Sequence, residues 1–561
     1  MAGTVLENLS NRKLICVLSV ILAFLVISFL IGAFIAPAPS NTEQIMASLC
    51  VPNDVGKLSI PRDKIDKGRI ISKNCEKNFN ATDKPVFAFQ IPGPREGQEL
   101  DYSRWMSYLI TMLTPEIVFR GIPSPGTDYE HLNGTLVMKV VLAAKDISDT
   151  HWTIIAKKDS LSRTLSCKLP KEKLEDGIAY DCNAIQFFEL QSLYYDYYLI
   201  NLEFISAPEL HHSQLSELNM VVIHQNGGFG EVFLFLKSIF FAITLLTLVW
   251  YYNRLRQLWR KNTLLEKSLL VLGMAITQLN VPVEYLSLFF DLGFMNFLSD
   301  IRQGILHCAL FCFWRIFTGE HLLDGIQRSR LSLYYRDLSI ILTASTLLFV
   351  FDSIERGVQW IDPFFTIWEV ESKMAIIFIS TAILAALTYF LFLCYQVWLV
   401  RKNIATKRSS LPAMSSTRRL VYEGIIYRFN FLLVATIFSA AATFIAYIMT
   451  QMGDTFFWED EYTESLRIQW TSAMYTFVYA MWNCYILILL ILYAPSHKGR
   501  GSQFDNLSEE IEFNRLTTDE TNENTVDTSA PSDSSKSFKF SKLSKSDMQL
   551  LQDLAAHQSI D

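Results

Sequence analysis

Long apolar runs divide the chain. Leu14 to Ala36 carries no charge, and its 23 residues cover roughly 34 Å as a helix, enough to cross a hydrocarbon core of about 30 Å. A cleaved signal peptide is the competing reading. The run is longer than an ordinary signal core, and Ala36-Pro37 is a poor cleavage context, so an uncleaved anchor is expected. The next run of this kind is Val232 to Tyr252, and six more follow at about 265–290, 303–323, 338–359, 374–399, 426–450 and 470–494. The pattern predicts one span, a long gap, and a group of seven.

Inside the gap the period changes. Val86–Ile91, Thr135–Leu142, Trp152–Ile155, Ala184–Leu190 and Tyr197–Ile205 are short, β-branched and aromatic, with Gly, Pro, Asn and Asp between them. Such runs predict strands of a mostly antiparallel β-sandwich. The expected fold is therefore an α+β membrane protein with eight transmembrane helices. One is N-terminal and seven form a bundle like that of G-protein-coupled receptors. The sandwich lies between helices 1 and 2. The expected boundaries are 1–13 for a cytosolic start, 14–36 for the first helix, 37–231 for the sandwich, 232–494 for the bundle and 495–561 for a tail.

Charge sets the orientation. Segments 1–13, 253–263, 324–337, 401–425 and 495–501 hold 2, 4, 3, 6 and 2 Lys or Arg. The alternate loops 291–301, 360–372 and 451–468 together hold one, Arg467. Both termini are therefore expected in the cytosol, with residues 37–231 luminal or extracellular. The tail beyond residue 501 has 12 acidic and 5 basic residues and few large apolar ones, a composition expected to stay disordered. Across the whole chain 50% of residues are apolar and 19% charged, and the net charge is −7. That balance speaks against a soluble enzyme and against a nucleic-acid binder.

Four of nine cysteines, Cys50, Cys75, Cys167 and Cys182, fall in the exoplasmic segment and suggest two bridges. Three pairings are possible; that between sequence neighbours is expected. The sequons at Asn80 and Asn133 are candidate glycosylation sites. No zinc, Walker, nucleophile-elbow or dinucleotide motif occurs, so neither catalysis nor a cofactor or metal is expected.

Ionisable residues inside spans are functional candidates. Helical rise places Glu284 in the third span, and Asp352, Glu355 and Arg356 in the fifth, near the exoplasmic mouth. Asp352 and Arg356 are spaced to pair. The four residues form either an ion-pair network tying helices together or a polar rim around a cavity open to the lumen. Pro282 is expected to kink the third span. Arg315, mid-span, either snorkels or faces the interior. In the basic loop 401–425, Tyr422-Glu423-Gly424-Ile425 has the Tyr-x-x-apolar form read by clathrin adaptors, in which one aromatic and one aliphatic side chain fill two pockets. The competing reading is the start of a juxtamembrane helix.

Several local strings are specific. They include Ile223-His-Gln-Asn-Gly-Gly-Phe229, Ser299-Asp-Ile-Arg-Gln-Gly-Ile305, Phe351-Asp-Ser-Ile-Glu-Arg-Gly-Val-Gln359, Ser410-Leu-Pro-Ala-Met-Ser415 and Leu492-Tyr-Ala-Pro-Ser-His-Lys498. With one span, a β domain and seven further spans, the chain resembles the Wntless (Evenness interrupted) family, and its ends look like those of insect members. The resemblance implies a cargo receptor that binds palmitoleoylated Wnt proteins. It would escort them from endoplasmic reticulum and Golgi to the plasma membrane, then recycle through endosomes with clathrin adaptor and retromer. It implies that the acyl chain enters a cavity of the membrane domain, and that Tyr422 and Ile425 drive internalisation. Arg315 departs from the family's usual apolar residue, so no acyl contact is assigned to the fourth span. The alternatives are a signalling receptor of the G-protein-coupled type, for which no Asp-Arg-Tyr or Asn-Pro-x-x-Tyr signature is visible, and a transporter, for which no internal repeat is visible.

Overall fold

A computed structural model describes residues 4–51, 58–61, 75, 85–93, 102–119, 131–170, 177–206, 213–258, 261–322, 330–366, 373–410, 416–452 and 469–495. A single turn α1 (Val5–Asn8) leads into α2 (Asn11–Phe34), the first long helix. Ten strands follow: β1 (Ser40–Met46), β2 (Ser48–Cys50), β3 (Val86–Ile91), β4 (Leu109–Phe119), β5 (His131–Lys145), β6 (Thr153–Lys168), β7 (Asp181–Cys182), β8 (Ile185–Leu190), β9 (Tyr197–Ser206) and β10 (Ser213–Gln225). They form two antiparallel sheets, ordered β1-β10-β4-β8 and β2-β3-β9-β5-β6-β7. Alternation decides which side chains go inside. On β6 Leu161, Arg163, Leu165 and Cys167 are buried while their neighbours are exposed. Phe89, Met138, Val140, Phe187, Ile200, Leu202, Met220 and Val222 fill the space between the sheets.

The five predicted runs lie in β3, β5, β6, β8 and β9, whereas β4 and β10 escaped the pattern. β4 carries Pro115, which normally bars a central strand. Here β8 pairs only with Leu109–Leu113, so Pro115 lies beyond the end of that neighbour and removes no bond on that side. β10 begins polar, Ser213-Gln-Leu-Ser-Glu, and becomes apolar only near Met220.

The sandwich hands the chain to the membrane part at Asn226, whose side chain caps α3 (Gly227–Arg256) by accepting from Gly228 N at 3.0 Å. α4 (Leu264–Asn280) opens with a reciprocal cap: Glu266 N donates to Thr263 Oγ1 at 3.3 Å, and Thr263 N donates to Glu266 Oε2 at 2.8 Å. Pro282 does not kink this span as expected. The helix stops at Asn280, and a 3-10 turn, Val283–Leu288, completes the crossing. Then come α5 (Met295–Leu322), α6 (Tyr335–Ile361), α7 (Lys373–Ser410), α8 (Ser416–Met452) and α9 (Trp470–Leu492). Seven of the long described helices are apolar enough to cross a membrane. α5 has the length but carries Asp300, Arg302, Arg315 and Glu320, and each of these costly residues has a partner: Arg356, Glu284, Asp337 and the Tyr334 hydroxyl.

α9 is the central post. It packs against α2, α3, α4 and α8, and 61% of its spanning window is buried. Small residues let α2 come close. A Cβ on Gly32 would lie 2.1 Å from Thr476 Oγ1 and 2.6 Å from Ser472 O. Thr476 Oγ1 donates to Ser28 O at 2.9 Å. Tyr479 donates to Asn280 at 2.7 Å, and Asn280 in turn to Asn483, so the two buried amides fix α4 against α9. α7 packs instead on α5 and α6, and only 6% of its window and 11% of that of α6 are buried.

The C-terminal end of α2, the N-terminal end of α3, the turn after α4, the start of α5 and the end of α6 all face the sandwich. At the far end Val5 N donates to Ala494 O at 2.9 Å, which brings the N-terminal turn beside the end of α9. The basic segments 253–258 and 330–337 belong to that far end.

Candidate functional site

The candidate rim residues fall into two ion clusters that share α5. In the first, Lys237 of α3 donates to Glu284 Oε1 at 2.5 Å, and Arg302 of α5 donates to the same oxygen and, at 2.7 Å, to Val281 O. Lys237 and Arg302 are 5% and 3% exposed. The pale apolar face of α3 therefore hides a cation, and Glu284 bolts α3, the turn after α4 and α5 together. Burial of two cations is costly, and the arrangement holds because each finds the half-buried carboxylate.

In the second cluster Arg356 does not take Asp352, its neighbour one turn back, as spacing suggested. It reaches Glu189 of β8 at 2.6 Å and Asp300 of α5 at 3.5 Å. A charge on another element at hydrogen-bond distance outcompetes a same-helix pair worth only about 0.2–0.5 kcal/mol. Asp352 and Glu355 stay half-buried on α6 beside it. Arg315 does not snorkel; it is buried among α5, α6 and α7. Its Nε donates to Asp337 Oδ2, on the first turn of α6, at 2.8 Å, and its guanidinium lies 5.3 Å from the Tyr334 ring centre and 5.4 Å from that of Phe392.

The decisive contact between sandwich and bundle was invisible in the sequence. After α6 the chain turns at Asp362 and inserts Phe364, 1% exposed, into the sandwich core against Phe187 and Phe188, with ring centres 6.1 and 6.0 Å away. Polar groups secure the insertion. Buried Arg163 donates to Phe364 O at 2.5 Å and to Gln186 O at 2.8 Å, Glu189 N donates to Pro363 O at 3.0 Å, Thr366 Oγ1 donates to Gln186 Oε1 at 3.0 Å, and Lys158 pairs with Asp362. Asn296 of α5 donates to Ser107 O at 3.1 Å on the other side. The sandwich is thus seated on the helix ends. The signal for Phe364 was faint: an arginine at an inward position of β6 implies carbonyls to receive it.

Beside this plug lies a cleft of about 250 Å³ between sandwich and bundle. Its walls include Glu189, Gln191, Tyr194, Tyr195, Asp291 and Trp360. Burial pushes the Asp291 carboxyl above the usual carboxylate range, with Arg104 opposing, and pushes Tyr195 up, with Asp291 and Asp146 adding to the effect.

The remaining candidates stand as follows. Disulfides join Cys50 to Cys75 and Cys167 to Cys182, the latter across the β6–β7 register. Asn133 lies on β5, where Ser166 Oγ donates to its side chain at 2.8 Å; Asn80 lies outside the described residues. Tyr422, Glu423, Gly424 and Ile425 fall within α8, where Glu423 is exposed and the side chains of Tyr422 and Ile425 are outside the described residues. The tail from residue 496 onward is likewise outside them.

Two family models match, and they meet where Asn226 caps α3. The model described as Wntless, GOLD domain covers residues 56–225, and that described as Wntless-like, transmembrane domain covers 226–497. The proteins named wntless from Drosophila erecta and Drosophila sechellia are 40% and 39% identical to this chain over 552 residues, and that from Drosophila ananassae is 39% identical over 552. Each alignment takes in 92% of this chain and 97% of the relative.

Proposed function

The chain belongs to the Wntless family, and from that premise we propose that it is a carrier for lipid-modified Wnt proteins in the secretory pathway. The observation that carries the reading is likeness along nearly the whole chain, sandwich and bundle alike, to relatives that are called wntless. The cargo's chemistry explains why a membrane carrier is needed. A palmitoleoyl chain has about 14 methylenes, and at ~0.8 kcal/mol each its exposure to water costs roughly 11 kcal/mol. A secreted protein bearing it needs a greasy enclosure throughout transit.

The architecture supports this assignment. A sandwich seated on the helix ends offers a protein-binding surface above apolar helices. α7 packs on α5 and α6 while α8 packs on α9, so consecutive helices take different partners. An acyl chain would enter between these groups from the sandwich-facing side. Travel through endoplasmic reticulum, Golgi, plasma membrane and endosomes, cytosolic termini, and recycling through adaptor and retromer are parts of the same proposal. Glycans at Asn80 and Asn133 would mark the luminal side. The ion clusters around Glu284 and Arg356 act here as ties that hold the mouth in shape.

The test is co-purification of the full chain with a Wnt from secretory cells, with and without a block on Wnt acylation. The expected result is a complex that disappears when the acyl serine is mutated. Unchanged recovery of the unacylated Wnt would remove the lipid from recognition. A ligand-dependent G-protein response without cargo recovery would favour the receptor alternative instead.

A further inference from the structure

The cleft between sandwich and bundle has a chemistry of its own. Gln191, 6% exposed, donates through Nε2 to Arg356 O and Gln359 Oε1, both at 3.2 Å, while its Oε1 is buried without a partner. That oxygen is closed to solvent, so Gln191 shapes the floor of the cleft through the two bonds it donates. Aromatic walls stand beside it. Tyr194 and Tyr195 meet edge to face at 5.4 Å between ring centres, and Trp360, 59% exposed, forms the opposite side. Gly293 keeps that wall in place, since a Cβ there would sit 2.8 Å from the Trp360 indole nitrogen. One guanidinium already uses this surface: Arg104 stacks 4.0 Å from the centre of the Tyr194 ring and donates to Tyr194 O and Leu288 O. Around the mouth, among the described residues, the carboxylates of Glu189, Asp291, Asp146, Asp149 and Asp196 outnumber the cations Arg104, Arg356 and Lys145. The excess is negative.

We propose that this cleft is a docking site for an arginine or lysine side chain on a loop of the luminal cargo, bound by Asp291 and the Tyr194, Tyr195 and Trp360 rings. An arginine head and its stem fit the volume. Its N–H groups pair with the carboxylate, and its planar face lies on the rings. The site rests on the carrier reading but not on the lipid: it grips protein, above the membrane, independently of the acyl chain.

The test uses the full chain in phosphatidylcholine nanodiscs and an immobilised acylated Wnt, at about 50 and 200 mM salt, conditions that bracket the screening length. Asp291→Lys is expected to weaken affinity about tenfold and Trp360→Leu about threefold, and the lysine variant should lose most of the salt dependence seen in the wild type. The same factor should appear with unacylated Wnt at high concentration, where binding too weak to survive co-purification is still measurable. Asp291 lies at the exposed edge of the cleft, its carboxyl only partly desolvated, so Asp291→Lys puts no charge into the interior. Unchanged affinity and salt slope in both variants would overturn the proposal. So would a change confined to retention of choline lipid in native mass spectrometry, which would make the occupant a headgroup. A wild-type chain that binds no acylated Wnt would instead sink the carrier reading from which the site was argued.

Discussion

At the scale of single residues, the informative groups are charges that found partners on other elements. Glu284 receives both Lys237 and Arg302. Glu284→Gln leaves two buried cations with no counter-charge, and removal of one member of a buried pair costs about 3–5 kcal/mol. The expected outcome is a clear drop in the thermal unfolding midpoint of the detergent-solubilised chain, and Lys237→Met in the same background should restore part of it. A milder case lies at the β5–β6 turn. Asp146 is pushed above its usual 3.8 by burial first, then by Asp196 and Asp149. A carboxyl whose pKa is raised by folding favours the fold while protonated and loses that contribution as pH rises through the folded value. Asp146→Asn should therefore raise the midpoint at pH 7, and the gain should shrink towards pH 4; a gain that is constant with pH would contradict this. At this scale sequence alone singled out Glu284 and Arg356, which the structure pairs across elements, but missed Lys237, Arg302, Glu189 and Phe364. Spacing along one helix cannot reveal a partner 167 residues away, as Glu189 is from Arg356.

At the scale of elements, the reading from sequence was strongest where one physical requirement dominates. An uninterrupted apolar run of twenty or more residues has few alternatives to a membrane helix, so seven spans were plain. α5 was legible by length but carries charges that only tertiary pairing explains, and β4 and β10 were hidden because a proline and a polar stretch were tolerated at specific neighbours. Helix packing adds a sharper demand. Gly32 admits no side chain toward α9. Gly32→Leu should separate α2 from the post, at about 1–3 kcal/mol or more for overpacking. A cysteine pair placed across the α2–α9 contact should cross-link readily in the native background and poorly with the leucine present.

At the scale of the molecule, the basic loops and the shared end of α1 and α9 describe one topology by independent routes. That topology puts residues 422–425 on the side opposite the sandwich. They lie in the early turns of α8, so an adaptor that reads an extended tetrapeptide has to unwind this end of the helix. Tyr422→Ala is expected to raise the surface population and deplete the endosomal pool, by surface labelling. An unchanged distribution would assign the tyrosine to helix packing. The candidate cleft was not legible at all, because it is made by β8, the turn before α5 and the end of α6, three stretches that no periodicity links.

The insertion of Phe364 has a mechanical corollary. Its ring is anchored in the sandwich, yet its backbone leaves directly from α6, the helix whose Arg356 also reaches Glu189 and whose Gln359 accepts from Gln191. The outer domain and α6 are geared: a tilt of one is delivered to the other as a pull on its upper end. Under the carrier reading, a load gripped by the sandwich would pull on the flank of the bundle through this ring, and seizing or shedding it would register in the membrane half without direct touch.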